Sequence, residues 1–216
     1  MIAFQFLERL KRNPVVLCLG AHCDDIEIGC GGTMLTLLKT RRDVSVRWVV
    51  LSSTKDRARE AATAAALFLK GARTASIRIE AFEDGYFPYR GADIKRYFEG
   101  LKRGPAPDVI FTHDRGDRHQ DHRMVSDTTW QTFRDSLIFE YEVPKFDGDL
   151  GAPNIFSHLD TSTCERKIRY IVKSYRTQRA KPWFTDETLR ALLRMRGIES
   201  RASRYAEGFT CRKLVL

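Results

Sequence analysis

Between residues 15 and 112, short unbroken apolar runs alternate with stretches whose apolar positions recur at helical spacing. Val15-Val16-Leu17-Cys18-Leu19 runs into Gly20 and reads as a strand buried on both faces. Gly29 to Gly32 then lead into a first helix carrying Met34, Leu35, Leu37 and Leu38. A second buried strand is predicted on Val44, Val46 and Trp48 to Leu51. The Ala-rich stretch from Asp56 to Leu69 ends at Gly71, a helix with a glycine stop. Ser76 to Phe82 alternates as a third strand. Ile94, Tyr97, Phe98 and Leu101 keep helical spacing ahead of Gly104-Pro105, and Asp108 to Thr112 forms a fourth strand.

This rhythm predicts an α/β fold, a Rossmann-like and mostly parallel sheet with helices on both faces. Ligands gather at the carboxyl ends of such strands. His22 to Glu27 follow the first strand and His113 to His122 follow the fourth, so the two polar clusters are expected to meet at one edge of the sheet. Further on, Leu137 to Val143 reads as a strand, Ser162 to Arg176 and Asp186 to Arg196 as helices, and Tyr205 to Leu216 as a closing strand. The length favours one domain over residues 1–216. Specificity is expected to reside in the irregular region from Tyr141 to Asn154 and in the C-terminal helices.

Near the start, Ile2, Phe6, Leu7 and Leu10 share one helical face, which suggests a docking helix. Glu8, Arg9, Lys11 and Arg12 cut the apolar region short, and no small-residue cleavage site follows, against a signal peptide. No apolar run approaches the ~18 residues of a membrane span. The five cysteines include no CxxC pair, against a zinc finger or thioredoxin-like site. A cytoplasmic protein is the expectation.

The net charge of +9 raises nucleic acid, an anionic membrane or an acidic substrate as partner. The basic residues between Arg166 and Arg204 are interleaved with apolar positions, so a solvated helix face is favoured over a polyanion site.

Chemistry concentrates elsewhere. Of the five histidines, four lie in the segments Ala21 to Gly29 and His113 to His122. Imidazoles and carboxylates at strand ends suit a borderline cation such as zinc, which at catalytic sites takes three protein ligands and keeps a position for water. The pattern is not HExxH, whose ligands sit one turn apart on a single helix. Gly29-Cys30-Gly31-Gly32 lacks the GxGxxG spacing of a dinucleotide loop, and Asp24 and Asp25 would repel a pyrophosphate. Ser52-Ser53-Thr54 has no base that the sequence identifies, so no serine nucleophile is assigned.

Ala21-His22-Cys23-Asp24-Asp25 resembles the AHPDD signature of the PIG-L/LmbE-like zinc-dependent deacetylases, and His119-Gln120-Asp121-His122 resembles their HxDH motif. Weaker matches at Arg57 to Glu60, Phe82 to Gly85 and Arg204 to Phe209 extend the resemblance over most of the chain, in order. It implies that His22, Asp25 and His122 hold Zn2+, with Fe2+ or another divalent ion left open. Asp24 would be the general base toward a zinc-activated water. His119 would stabilise the oxyanion or protonate the leaving amine, with Asp121 orienting its ring. Arg57 and Asp84 would bind sugar hydroxyls or a neighbouring acidic group. The implied reaction removes an N-acetyl group from an N-acetylated aminosugar or its conjugate. The substrate would be a small molecule or glycoconjugate; the +9 suggests that it bears phosphate, and nucleic acid is not expected.

Cys23 stands where the family has proline, either as an inert replacement or as an extra zinc ligand. Two other readings stay open: a basic polyanion-binding protein with a structural metal, and a metal-dependent hydrolase of another bond such as a phosphoester. A homo-oligomer is compatible with the sequence.

Overall fold

A computed structural model of the chain describes residues 10–201 and 203–214. Five strands alternate with four helices: β1 (Val15–Gly20), α1 (Asp25–Thr40), β2 (Ser45–Val50), α2 (Lys55–Phe68), β3 (Thr74–Ile79), α3 (Gly91–Lys102), β4 (Val109–His113), α4 (Gln120–Thr132) and β5 (Leu137–Tyr141). Then come β6 (Ile155–Leu159), α5 (Thr161–Ser174), α6 (Asp186–Ser200) and β7 (Tyr205–Thr210). The sheet order is β3-β2-β1-β4-β5-β7-β6. β1 to β5 pair in parallel, and β7 runs antiparallel to both β5 and β6. The Rossmann-like expectation is met.

Side-chain alternation along β1 divides the core. Val16 and Cys18 enter one cluster, with Met34 of α1, Phe68 of α2 and Ile168 of α5. Leu17 and Leu19 enter the other, with Ile94 and Phe98 of α3 and Val125 of α4. Among the described residues no helix is long and apolar enough to cross a membrane.

Several boundaries differ from the expectation. The first helix begins at Asp25, so Gly29, Gly31 and Gly32 lie inside it and not in a loop before it. Glycine is a poor helix former, and packing overrides that propensity here. A Cβ on Gly29 would fall 2.1 Å from the Tyr141 ring, and one on Gly32 would fall 2.5 Å from Leu159. The bare backbone lets α1 lie directly on β5 and β6. Gly29→Ala is therefore expected to lower stability by about 1–3 kcal/mol through overpacking, read as a fall in melting temperature, while an unchanged melting curve would mean that Tyr141 moves aside freely.

β6 was not anticipated: its Ser157 and His158 break the apolar pattern, and three of its five residues are only half-buried. The third strand starts earlier than Ser76, because Thr74 already pairs with Ser45. α6 runs on to Ser200, past Arg196. The closing strand ends at Thr210, and Val215 and Leu216 lie outside the described residues. The expected N-terminal docking helix also lies outside them, except for Leu10, which packs against the core.

β7, which lies between β5 and β6, also braces α1. The Glu207 carboxylate, almost fully buried, accepts the backbone N–H groups of Gly32 and Thr33 at 2.7 Å each. Ile28 O, the carbonyl that faces the Gly32 N–H in a regular helix, accepts Lys167 Nζ at 2.5 Å. Lys167 Nζ closes the arrangement on Glu207 at 2.6 Å. The second turn of α1 is thus held by a buried ion pair drawn from α5 and β7.

Candidate functional site

The parallel pairing of β1 with β4 brings Ala21 and His113 together at the carboxyl edge, where the Ala21 N–H donates to His113 Nε2 at 3.0 Å. Immediately after β1 the chain turns sharply. Asp24 adopts φ 94°, a left-handed value rare for any residue but glycine, and forms the N-cap of α1. Such backbone costs about 1–3 kcal/mol and persists where its surroundings enforce it. Here Arg57, from the first turn of α2, donates to Cys23 O at 2.7 Å and approaches Asp24 Oδ1 at 3.5 Å. The turn, and not an extended loop, sends the carboxylates of Asp24 and Asp25 in different directions. Asp25 becomes the first residue of α1, where the helix dipole favours negative charge.

His22, Asp25 and His122 are brought together. His22 Nδ1 lies 3.2 Å from His122 Nε2 and 3.5 Å from Asp25 Oδ2, and His122 Nε2 lies 3.6 Å from the same oxygen. Zinc bound tetrahedrally at about 2.0–2.1 Å keeps its ligands roughly 3.3 Å apart, so the triangle has the size that such an ion requires. The outer nitrogens are committed to carboxylates: His22 Nε2 to Asp121 Oδ2 at 3.2 Å and Asp84 Oδ1 at 3.0 Å, and His122 Nδ1 to Asp117 Oδ2 at 2.8 Å. Protons on these outer nitrogens leave two lone pairs facing each other beside an anionic oxygen. A cation relieves that repulsion. The pairing of each imidazole with a carboxylate also fixes tautomer and ring orientation in the manner of metal-ligating histidines.

The charges around the triangle draw a proton to it as they would draw a cation. Burial opposes protonation of His22, but Asp121, Asp25 and Asp84 raise it well above the usual imidazole range. Burial and the charge of His113 push His122 down to about 4. Burial works against the Asp25 carboxylate, yet His122 and His113 hold it well below the usual range. Asp24 goes the other way, pushed up to about 7 by burial and by Asp25, with Arg57 and Lys181 opposing. Two adjacent carboxylates are thus driven apart in acidity. Asp24 Oδ2 is buried without a hydrogen-bond partner.

Three overlapping groups bring three ligand atoms within 4.8 Å: His22, His119 and His122; Asp25, His113 and His122; and His22, Asp84 and Asp121. The second uses a nitrogen, His113 Nε2, that already takes the Ala21 N–H and lies 3.3 Å from the Tyr141 hydroxyl. The third uses the outer nitrogen of His22.

Some expected roles shift. The Asp121 carboxylate does not orient the His119 ring. As the second residue of α4, Asp121 turns back and accepts the Gly85 and Phe87 N–H groups at 2.6 and 3.1 Å as well as contacting His22. His119 Nδ1 accepts the Asp121 backbone N–H at 3.3 Å, which leaves the proton on Nε2. Burial lowers the affinity of His119 for a second proton. Arg57 braces the Cys23-Asp24 turn, while Asp84 is exposed and sits on His22. The Cys23 thiol is buried, points to Ser52 O at 3.6 Å and is pushed up to about 12 by burial, so it stays neutral and belongs to none of the candidate ligand groups.

Two contributors were not assigned roles from sequence. His113 is fully buried and stacks on His122 with ring centroids 3.8 Å apart. Its signal was its position as the last residue of a buried strand. Asp117 holds His122 through one oxygen and accepts the His119 N–H through the other at 2.8 Å. Burial opposes its ionisation, but His122, His113 and Lys145 hold it well below the usual range.

Among solved structures, the N,N'-diacetylchitobiose deacetylase from Pyrococcus horikoshii is 24% identical, with 95% of this chain and 88% of that chain covered and a TM-score of 0.67. The A40926 pseudoaglycone deacetylase Dbv21 is 18% identical, with 93% and 97% covered and a TM-score of 0.71. GalB, the 4-carboxy-2-hydroxymuconate hydratase from Pseudomonas putida KT2440, is 16% identical, with 94% and 98% covered and a TM-score of 0.66. These likenesses establish a shared fold. No curated protein matches the chain by sequence. The PIG-L family model, described as GlcNAc-PI de-N-acetylase, matches residues 17–133, a span that contains both histidine–aspartate motifs. The chain belongs to the PIG-L family.

Proposed function

We propose that the protein is a metal-dependent hydrolase that removes the N-acetyl group from an N-acetylated aminosugar or its conjugate. The observation that carries this reading is the triangle of His22 Nδ1, His122 Nε2 and Asp25 Oδ2, with sides of 3.2, 3.5 and 3.6 Å and with Asp24 beside it. Those three residues would hold the ion, Zn2+ by the size and chemistry of the donor set. A bound zinc would polarise the attacking water and the acyl oxygen.

The protein's own groups supply the rest. Asp24 takes the proton from water, for which an acidity near neutrality is suited. His119, carrying its proton on Nε2, faces the site as a donor to the developing oxyanion or the leaving amine. Asp121 and Asp84 hold the His22 ring, and Arg57 keeps Asp24 in its turn. Arg57 and Lys181 also add positive potential on the Asp24 side, which supports a substrate with an anionic group such as a phosphate.

The fold alone does not choose the reaction, since a hydratase shares it. The site and the family support amide hydrolysis. The decisive experiment offers the metal-loaded protein a panel of N-acetylglucosamine conjugates and measures released acetate. Acetate release is expected; none from any N-acetyl amide, with metal bound, would sink the assignment. The anionic-substrate part predicts a KM that rises with salt, and a KM flat from low to high salt would remove it.

A further inference from the structure

Lys145 lies in the irregular segment after β5, far in sequence from either metal motif, yet its ammonium is buried beside one of them. Nζ stands 3.0 Å from Asp117 Oδ2, the same oxygen that receives the His122 ring, and 2.7 Å from Asp149 Oδ2. All three side chains are close to fully buried, at 11%, 3% and 5% exposure. Asp149 in turn accepts the Arg118 N–H at 2.6 Å. Residues 145 and 149 therefore clasp the turn between Asp117 and Arg118 from both ends. The base of the segment is fixed independently, because Arg196 of α6 binds both oxygens of Glu142 at 2.6 Å and Gly151 O at 3.0 Å.

We propose that Lys145 is a positioning residue for this centre: its ammonium holds the Asp117 carboxylate on His122 Nδ1 and so governs how firmly His122 grips the metal. The inference rests on the reading of His122 as a ligand. Desolvating an ammonium costs several kcal/mol, and an apolar side chain of similar shape can replace a buried ion pair at little or no loss. A space-filling role does not need the charge. The charge is needed where Asp117 has two oxygens to hold in different directions, one toward the His119 backbone and one toward the His122 ring. Without Lys145, Asp117 loses the partner that shares its Oδ2 with His122 and is free to rotate. That rotation releases the imidazole from its fixed tautomer. Carboxylates in that role commonly contribute ten- to a hundredfold in metal affinity. Asp149 makes the same lysine the link between the metal centre and the loop that carries the exposed Phe146.

The test compares Lys145→Met, Lys145→Arg, Asp149→Asn and His122→Ala with the wild-type protein. Affinities for Co2+ and Zn2+ are measured by chelator competition, the visible spectrum of the Co2+ form is recorded, and melting of the metal-free proteins is followed. Lys145→Met is expected to weaken both metals by about ten- to a hundredfold and to alter the Co2+ spectrum, with metal-free melting close to wild type. Lys145→Arg is expected to restore affinity to within roughly threefold, and Asp149→Asn to fall between the two. Wild-type affinity and spectrum in Lys145→Met would overturn the proposal, as would Lys145→Arg being as weak as Lys145→Met. A collapse of metal-free melting with unchanged affinity would show a structural role instead. Loss of metal in His122→Ala with retention in Lys145→Met defeats the lysine proposal alone, whereas wild-type affinity in His122→Ala defeats the ligand reading itself.

Discussion

Asp24→Asn is expected to slow acetate release by about a hundred- to ten-thousandfold while the protein keeps its metal. The substitution is close to isosteric, and asparagine tolerates left-handed backbone better than most residues, so the φ of 94° at this turn should survive. What disappears is the proton acceptor. Asp24 Oδ2 has no hydrogen-bond partner in the protein, so the amide breaks no existing contact there. Asp25, which shares a vertex with both histidines, is untouched. Turnover and metal content must be read together. Loss of turnover with full metal content supports Asp24 as base, loss of both makes it a ligand, and retained turnover removes it from the chemistry. The same pair of readings discriminates against a polyanion-binding protein with a structural metal, in which Asp24→Asn would leave ligand binding unaltered.

The largest stability effect is expected at Glu207→Gln. One carboxylate serves two backbone N–H groups of α1, the Thr33 hydroxyl at 2.5 Å and the Lys167 ammonium at 2.6 Å. Removing its charge leaves Lys167 buried with a carbonyl as its main partner, and points an amide NH2 at groups that are themselves donors. Breaking a buried pair in this way costs about 3–5 kcal/mol. For a chain of this size that corresponds to a fall in melting temperature of roughly 6–20 °C. A Glu207→Leu, Lys167→Met double variant should recover only part of this loss, because the N–H groups of Gly32 and Thr33 and the Thr33 hydroxyl lose the carboxylate. A shift of a degree or two in Glu207→Gln would show that α1 holds without the brace.

The alternating strands and helices up to Thr112 were legible because parallel strands buried on both faces read as unbroken apolar runs. The metal motifs were legible for a related reason, since imidazoles and carboxylates that directly follow such runs have few structural duties there. The start of α1 was not, because Gly29 and Gly32 carry a helix-breaking signal whose purpose, contact with Tyr141 and Leu159, lies far away in sequence. Asp117 stands in a loop of alternating Asp and Arg and Lys145 in an irregular segment, and neither position names its partner. Their roles exist only once residues 117 and 145 are in contact. The resemblance implied that Asp121 orients His119, whereas the turn from His119 into α4 aims its carboxylate across to His22.

The place of β7 bears on how the protein is made. It threads between β5 and β6 and carries Glu207, the brace under the helix that begins at Asp25. During vectorial synthesis the first five strands can emerge and pair while α1 still lacks that brace. The loop between β1 and α1 would then become rigid only after β7 has emerged and paired. If that loop holds the metal as proposed, metal offered to a nascent chain should be held poorly until α5 and β7 have emerged.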